Sequence, residues 1–117
     1  MADVTAKKIS EIDASMSGGF KHVGRDLGLS SFGINVIDMP AGYDGYPDHD
    51  HSEDGQEELY IPLSGRGVME TGGERHVLEP GMVIRVGPGE KRKLITEDER
   101  VRVLAIGGTP GKAYPSS

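Results

Sequence analysis

His49-Asp50-His51-Ser52-Glu53-Asp54-Gly55-Gln56-Glu57-Glu58-Leu59-Tyr60-Ile61-Pro62-Leu63-Ser64-Gly65 is the stretch that decides the fold. Its second half alternates. Leu59, Ile61 and Leu63 fall on one face of an extended strand and Glu58, Tyr60 and Pro62 on the other, because successive strand side chains point to opposite sides. Ser64-Gly65-Arg66-Gly67 ends the run. Pro62 cannot donate to a neighbouring strand and marks an edge, a bulge or a local break. The first half carries the chemistry. His49 and His51 are two residues apart, which on an extended chain sets both rings on one face, with backbone positions roughly 6.6 Å apart. Two imidazoles so placed converge on one cation, and Glu58 supplies a hard oxygen. Two histidines and one carboxylate suit iron, manganese, nickel or zinc. On spacing alone the same residues also read as a solvated polar loop, since Asp48, Asp50, Ser52, Glu53 and Asp54 surround them.

The alternation recurs outward from this stretch. Residues 32–39 place Phe32, Ile34 and Val36 on one face and stop at Pro40-Ala41-Gly42. Segments 67–70 and 75–78 flank Gly72-Gly73, a two-residue hairpin signal. Met82, Ile84 and Val86 form the next apolar face, before Gly87-Pro88-Gly89. Segments 91–95 and 100–106 follow, separated by a charged turn. Helical spacing is confined to single turns near residues 7–12 and 24–27. Eighteen glycines and seven prolines in 117 residues punctuate seven or eight short strands. The fold class is therefore all-β, a sandwich or barrel. It divides into an N-terminal arm (1–31), a barrel (32–106) and an irregular tail (107–117) rich in Gly and Pro.

Composition excludes several function classes. The formal charge is −6, which argues against phosphate-backbone binding and hence against a nucleic-acid partner. Lys91-Arg92-Lys93 reads as a strand with two solvated lysines and one residue facing the other way. The chain contains no cysteine, so disulfides, thiolate metal sites and a cysteine nucleophile are absent. The start has no apolar run of a signal-peptide kind. No segment approaches the roughly 18 apolar residues of a membrane-spanning helix. These features lead us to expect a cytoplasmic protein with no membrane partner.

Two runs resemble the paired motifs of the cupin superfamily. His49-x-His51, Glu58 and, after six residues, Gly65 are similar to the first motif, and that count selects Glu58 over Glu57. Gly81-Met82-Val83-Ile84-Arg85-Val86-Gly87-Pro88-Gly89-Glu90-Lys91-Arg92 resembles the second. The resemblance implies a double-stranded β-helix, or jelly-roll cupin barrel, of six to eight strands, often a homodimer. It also implies that His49, His51 and Glu58 point inward as ligands of a divalent transition metal. The chain departs from the family pattern at four points. Six residues separate His51 from Glu58, more than is usual. The glycine expected ahead of His49 is out of register. Arg92 stands where a third histidine belongs, and Thr96 replaces an asparagine.

Arg92 has physical weight because a guanidinium stays protonated. At 5 Å from a divalent ion and an effective dielectric near 20, the repulsion would be roughly 6–7 kcal/mol. Two arrangements follow. Either His49, His51 and Glu58 hold a metal loosely while Arg92 and Tyr60 bind an anionic small molecule, or Glu58 and Arg92 pair in a metal-free polar pocket. The matching functions are a metal-assisted dioxygenase, isomerase or lyase, and a non-catalytic small-ligand-binding cupin; a structural or dimerisation unit with a vestigial pocket is the third reading. His22 and His76 read as surface or packing residues. Asp48 and Asp50 are placed to orient an imidazole, or simply to be solvated.

Overall fold

The computed structural model describes residues 2–15 and 19–112. Among the described residues the chain forms strands β1 (Ala14–Ser15), β2 (Phe20–Lys21), β3 (Gly33–Met39), β4 (Glu57–Gly65), β5 (Gly67–Thr71), β6 (Glu74–Leu78), β7 (Ile84–Val86), β8 (Arg92–Ile95) and β9 (Val101–Gly108). One five-residue helix, α1 (Val23–Leu27), and a 3-10 turn at Ile9–Glu11 precede the main strands, close to the two expected helical turns. The larger sheet runs β1-β2-β3-β9-β4-β7 and the smaller β6-β5-β8, with every paired neighbour antiparallel. Two antiparallel sheets enclosing one core give the jelly-roll barrel.

Turn chemistry sets the register. Gly72 and Gly73 have φ of 36° and 86°, the left-handed pair that a two-residue hairpin between β5 and β6 needs. Gly65 has φ of 75°, and a Cβ there would run into the Arg100 carbonyl. Pro62 is followed by a shift in the pairing of β4 with β9, between Pro62 and Ser64, the bulge that its missing donor predicts.

The barrel core holds Ile37, Met39, Tyr60, Met69, Leu78 and Leu94, among others. On β4 the inward face is therefore the one with Glu58, Tyr60 and Pro62, while Leu63 is 42% exposed. On β3, Ile37 and Met39 enter the core, and Val36 packs on the opposite side with Ile12 and Val23. The N-terminal arm thus roofs part of the outer sheet face, which is why that face can afford aliphatic side chains. Burying each such side chain contributes about 1.5–3 kcal/mol.

Some boundaries shift. Met82 sits in a turn closed by its N–H on the Glu79 carbonyl, is 40% exposed, and does not join Ile84 and Val86 in the core. The sheet takes in Phe20–Lys21 on one side of residues 32–106 and Gly107–Gly108 on the other. Of the expected irregular tail, residues 113–117 lie outside the described residues. No helix among the described residues is long and apolar enough to cross a membrane.

Candidate functional site

The histidines ride on a loop that is stitched to β8. The Gly42 N–H donates to the Glu97 carbonyl, the Thr96 N–H to the Tyr43 carbonyl, and the Tyr43 N–H to Thr96 Oγ1 at 2.8 Å. Thr96 Oγ1 in turn donates to the Pro40 carbonyl. Further along, His49 and Arg92 exchange both backbone hydrogen bonds, at 3.1 and 2.9 Å, and the His51 N–H donates to the Pro88 carbonyl at 2.8 Å. Residue 49 is thereby fixed opposite residue 92, and residue 51 opposite the turn before β8. Thr96, which stands where the resembled motif has an asparagine, locks this loop.

The imidazoles lie edge to face, with centroids 5.2 Å apart. His49 Nδ1 is 3.0 Å from the Pro47 carbonyl oxygen, and His51 Nδ1 is 3.1 Å from both carboxylate oxygens of Asp54. Those acceptors assign the ring proton to Nδ1 in each case and leave both Nε2 atoms as lone-pair donors. Both Nε2 atoms face one oxygen. Glu58 Oε1 is 3.2 Å from His51 Nε2 and 3.9 Å from His49 Nε2. The three residues present one ligand atom each within 4.8 Å of one another. A lone pair opposite a carboxylate oxygen at such a distance favours a positive centre close to both. The donor set therefore fits a divalent transition ion with three protein ligands, each histidine being oriented by a partner on its other nitrogen.

The same oxygen, Glu58 Oε1, is already engaged. Tyr60 donates to it at 2.6 Å and Arg92 Nη1 at 3.0 Å, while Arg92 Nη2 donates to the Gly87 carbonyl at 2.7 Å. Arg92 and Tyr60 are both wholly buried, and Arg92 Nε has no hydrogen-bond partner among the described residues. Of the two arrangements the sequence allows, Arg92 takes the one in which it pairs with Glu58, and neither Arg92 nor Tyr60 is in the lining of the cavity in front of the histidines. Burial, then the nearby Tyr46 ring and the Glu58 charge, push the Tyr60 phenol above its ordinary range, so it remains an O–H donor to Glu58.

The cavity has a volume of about 250 Å³. Its polar lining is Asn35, Tyr46, His49, His51, Gln56 and Glu58, set against Phe20, Ile37, Pro47 and Ala105. Tyr46 packs on His49 with ring centroids 5.5 Å apart. Burial, with the Glu58 charge adding to it, pushes the Tyr46 phenol up to about 12. Gly107 on β9 makes room for this floor, since a Cβ there would sit 2.9 Å from Gln56 Oε1 and 3.3 Å from Glu58 Cγ.

Sequence reasoning missed four of these residues. Asn35 and Gln56 are polar positions of ordinary appearance, although Asn35 does alternate away from Ile34 and Val36. Tyr46 lies in a loop without pattern. Asp54, not Asp48 or Asp50, orients an imidazole. Asp50 instead accepts from the Ser52 N–H and hydroxyl. Burial raises the Asp54 carboxyl, but hydrogen bonds from the Gln56 N–H and the His51 ring outweigh it and hold Asp54 below the usual carboxylate range. His22 packs against Phe20, and His76 meets Thr71 across the β5–β6 hairpin, in line with their bland readings.

The sequence model of the family described as Cupin domain matches residues 35–107. Among solved structures, a cupin protein from Bacteroides fragilis is 24% identical, with a TM-score of 0.78, covering 100% of this chain and 93% of its own. A sugar phosphate isomerase from a cupin superfamily, of Silicibacter pomeroyi, is 20% identical (TM-score 0.73; 97% and 83% covered). The polyketide cyclase RemF from Streptomyces resistomycificus is 15% identical (TM-score 0.74; 95% and 82% covered). At these identities the likeness speaks for the fold. No curated protein matches the sequence.

Proposed function

The chain belongs to the cupin-domain family, and from that premise we propose that it acts on a small molecule in the cavity floored by His49, His51 and Glu58, with one divalent transition metal held by those three residues. The observation that carries this reading is the approach of His51 Nε2 to Glu58 Oε1 at 3.2 Å while His51 Nδ1 faces Asp54. Iron, manganese, nickel and zinc all suit two imidazoles and a carboxylate. Such an ion, when bound, polarises a carbonyl or hydroxyl oxygen and acidifies bound water, chemistry suited to an isomerase, lyase or dioxygenase.

The chain's own residues do the rest. Asp54 and the Pro47 carbonyl hold the imidazole tautomers. Tyr60 and Arg92 hold the Glu58 carboxylate and act through it, as positioning residues. Arg92 also neutralises Glu58 and occupies the place of a fourth ligand, so ion binding is weak and leaves room for the small molecule. A homodimer also belongs to this proposal, supported by Leu59, Ile106 and Phe32 around an outer groove of about 500 Å³; light scattering tests it, and a monomeric mass would remove it.

A second reading has its own support. Glu58 Oε1 already accepts two strong hydrogen bonds, which suits a metal-free ligand-binding cupin. Elemental analysis of untagged protein, followed by titration with Fe(II), Mn(II), Ni(II) and Zn(II), separates the two. Uptake approaching about one equivalent, lost in His49→Ala and His51→Ala, is expected of a single site. Below about a tenth of an equivalent, with no uptake on titration, the metal-free reading replaces the first.

A further inference from the structure

We infer that the cavity takes an uncharged, oxygen-rich small molecule carrying adjacent hydroxyl and carbonyl oxygens, and discriminates against phosphates and carboxylates. This rests on the small-molecule reading above and narrows it.

Charge is the first argument. None of the described residues lining the cavity is a lysine or an arginine. Lys91 is exposed on the outside of the loop, and three cations on neighbouring strands are engaged elsewhere. Arg92 is wholly buried against Glu58 and Gly87. Lys21 Nζ donates to the Ile9 carbonyl at 3.0 Å. Arg85 pairs with Glu57 at 2.8 Å. The loop that carries the histidines is acidic, with exposed Asp48, Glu53 and Asp54 and half-buried Asp50. An anion approaching the metal-free cavity therefore crosses a negative field, and the lining itself supplies no lysine or arginine. A small organic cation gains little either, because Arg92 has already neutralised Glu58.

The lining is the second argument. Asn35 and Gln56 bring carboxamides, each with a carbonyl acceptor and an NH₂ donor. Tyr46 brings a phenol hydroxyl. Phe20, Ile37, Pro47 and Ala105 supply apolar wall between them. Hydroxyl and carbonyl oxygens on a short carbon frame match such mixed neutral polarity. At water's share of about 30 Å³ per non-hydrogen atom, the cavity suits a ligand of about eight such atoms.

The experiment compares dihydroxyacetone, dihydroxyacetone phosphate, glycerate and 3-amino-1,2-propanediol on the full chain, metal-free and zinc-loaded. Calorimetry gives affinity, and side-chain NH₂ and imidazole NMR signals give location. On the metal-free chain dihydroxyacetone is expected to shift the Asn35 NH₂ and His49 and His51 signals and to bind at least roughly tenfold (about 1.4 kcal/mol) tighter than its phosphate. Asn35→Leu, or Asn35→Ser should the leucine variant misfold, is expected to lose about tenfold of that binding, and Tyr46→Phe several-fold. Tighter binding of the phosphate, glycerate or the amine overturns the inference, as do unchanged affinity in the Asn35 variants and silence of all four probes. Metal uptake is measured on the same samples. Dihydroxyacetone binding without uptake removes the metal and keeps this inference, whereas uptake with a preference for phosphate does the reverse.

Discussion

Arg92 Nη1 lies 3.0 Å from Glu58 Oε1, with the arginine wholly enclosed and the glutamate side chain 14% exposed. A buried pair of this kind is costly to break from one side, because the survivor is left charged without a partner. Glu58→Gln should therefore destabilise by about 3–5 kcal/mol, read as a shifted midpoint in urea unfolding. The double variant Glu58→Leu with Arg92→Met should lose less than Glu58→Gln alone. A double variant as unstable as the sum of its parts would mean that the two side chains do not depend on each other.

Position 92 faces the histidine loop through the paired backbone bonds with His49. Arg92→His removes a fixed positive charge and adds an imidazole on the same wall. Zinc affinity, measured by competition with a chromophoric chelator, should rise by roughly tenfold or more. An unchanged affinity would show that the side chain at 92 does not share the space of His49, His51 and Glu58.

Much of this was legible in the chain and some of it was not, for a physical reason. Turns are local: Gly72-Gly73, Pro62 and Gly65 announce themselves through dihedral limits, so the hairpin, the bulge and the end of β4 were readable. Which face of a strand looks inward is not local. Alternation separates Leu59, Ile61 and Leu63 from Glu58, Tyr60 and Pro62, but both sets are apolar enough to be buried. The choice depends on an arm more than thirty residues upstream that packs Ile12 and Val23 over Val36. The site divides in the same way. His49, His51 and Glu58 stood out by residue type. Asn35, Tyr46 and Asp54 joined them only through contacts between distant elements or through loop geometry without a repeating pattern.

Thr96 is nearly fully buried and ties the Pro40 carbonyl and the Tyr43 N–H to the end of β8. Thr96→Val keeps the shape but strands both groups, at a cost of about 1–3 kcal/mol. Amide exchange at Tyr43 and His49 should accelerate in Thr96→Val and stay slow in Thr96→Ser. Equal protection in both variants would show that the hydroxyl does not hold the loop.

The Asp50 carboxyl lies below its ordinary value of 3.8, first because the Ser52 N–H donates to it and then because the Ser52 hydroxyl does. A carboxyl with a lowered folded-state pKa adds stability that is whole above its unfolded value and fades as pH falls through the folded one. The Ser52 amide shift in the metal-free protein should hold constant from neutrality to about pH 4 and then move, with a midpoint below 3.8. Asp50→Asn should abolish the response. A midpoint at or above 3.8 would deny the Asp50–Ser52 turn.

Gly107 and Gly108 are neighbours on β9 with opposite duties. A Cβ at Gly108 would lie 3.9 Å from the Phe32 Cβ, in ordinary contact, whereas one at Gly107 would press on Gln56 Oε1 and Glu58 Cγ. The Gln56 tip can swing aside. Glu58 cannot easily do so, since Tyr60 and Arg92 grip its carboxylate. Gly107→Ala should therefore fold, with a loss within about 1–3 kcal/mol, yet weaken ion or ligand binding at the histidines more than its stability loss accounts for. Gly108→Ala should leave binding alone and, by restricting the unfolded chain, cost nothing or gain about 0.4–1 kcal/mol. Equal binding in the two variants would mean that the bare backbone at residue 107 does not set the position of Glu58.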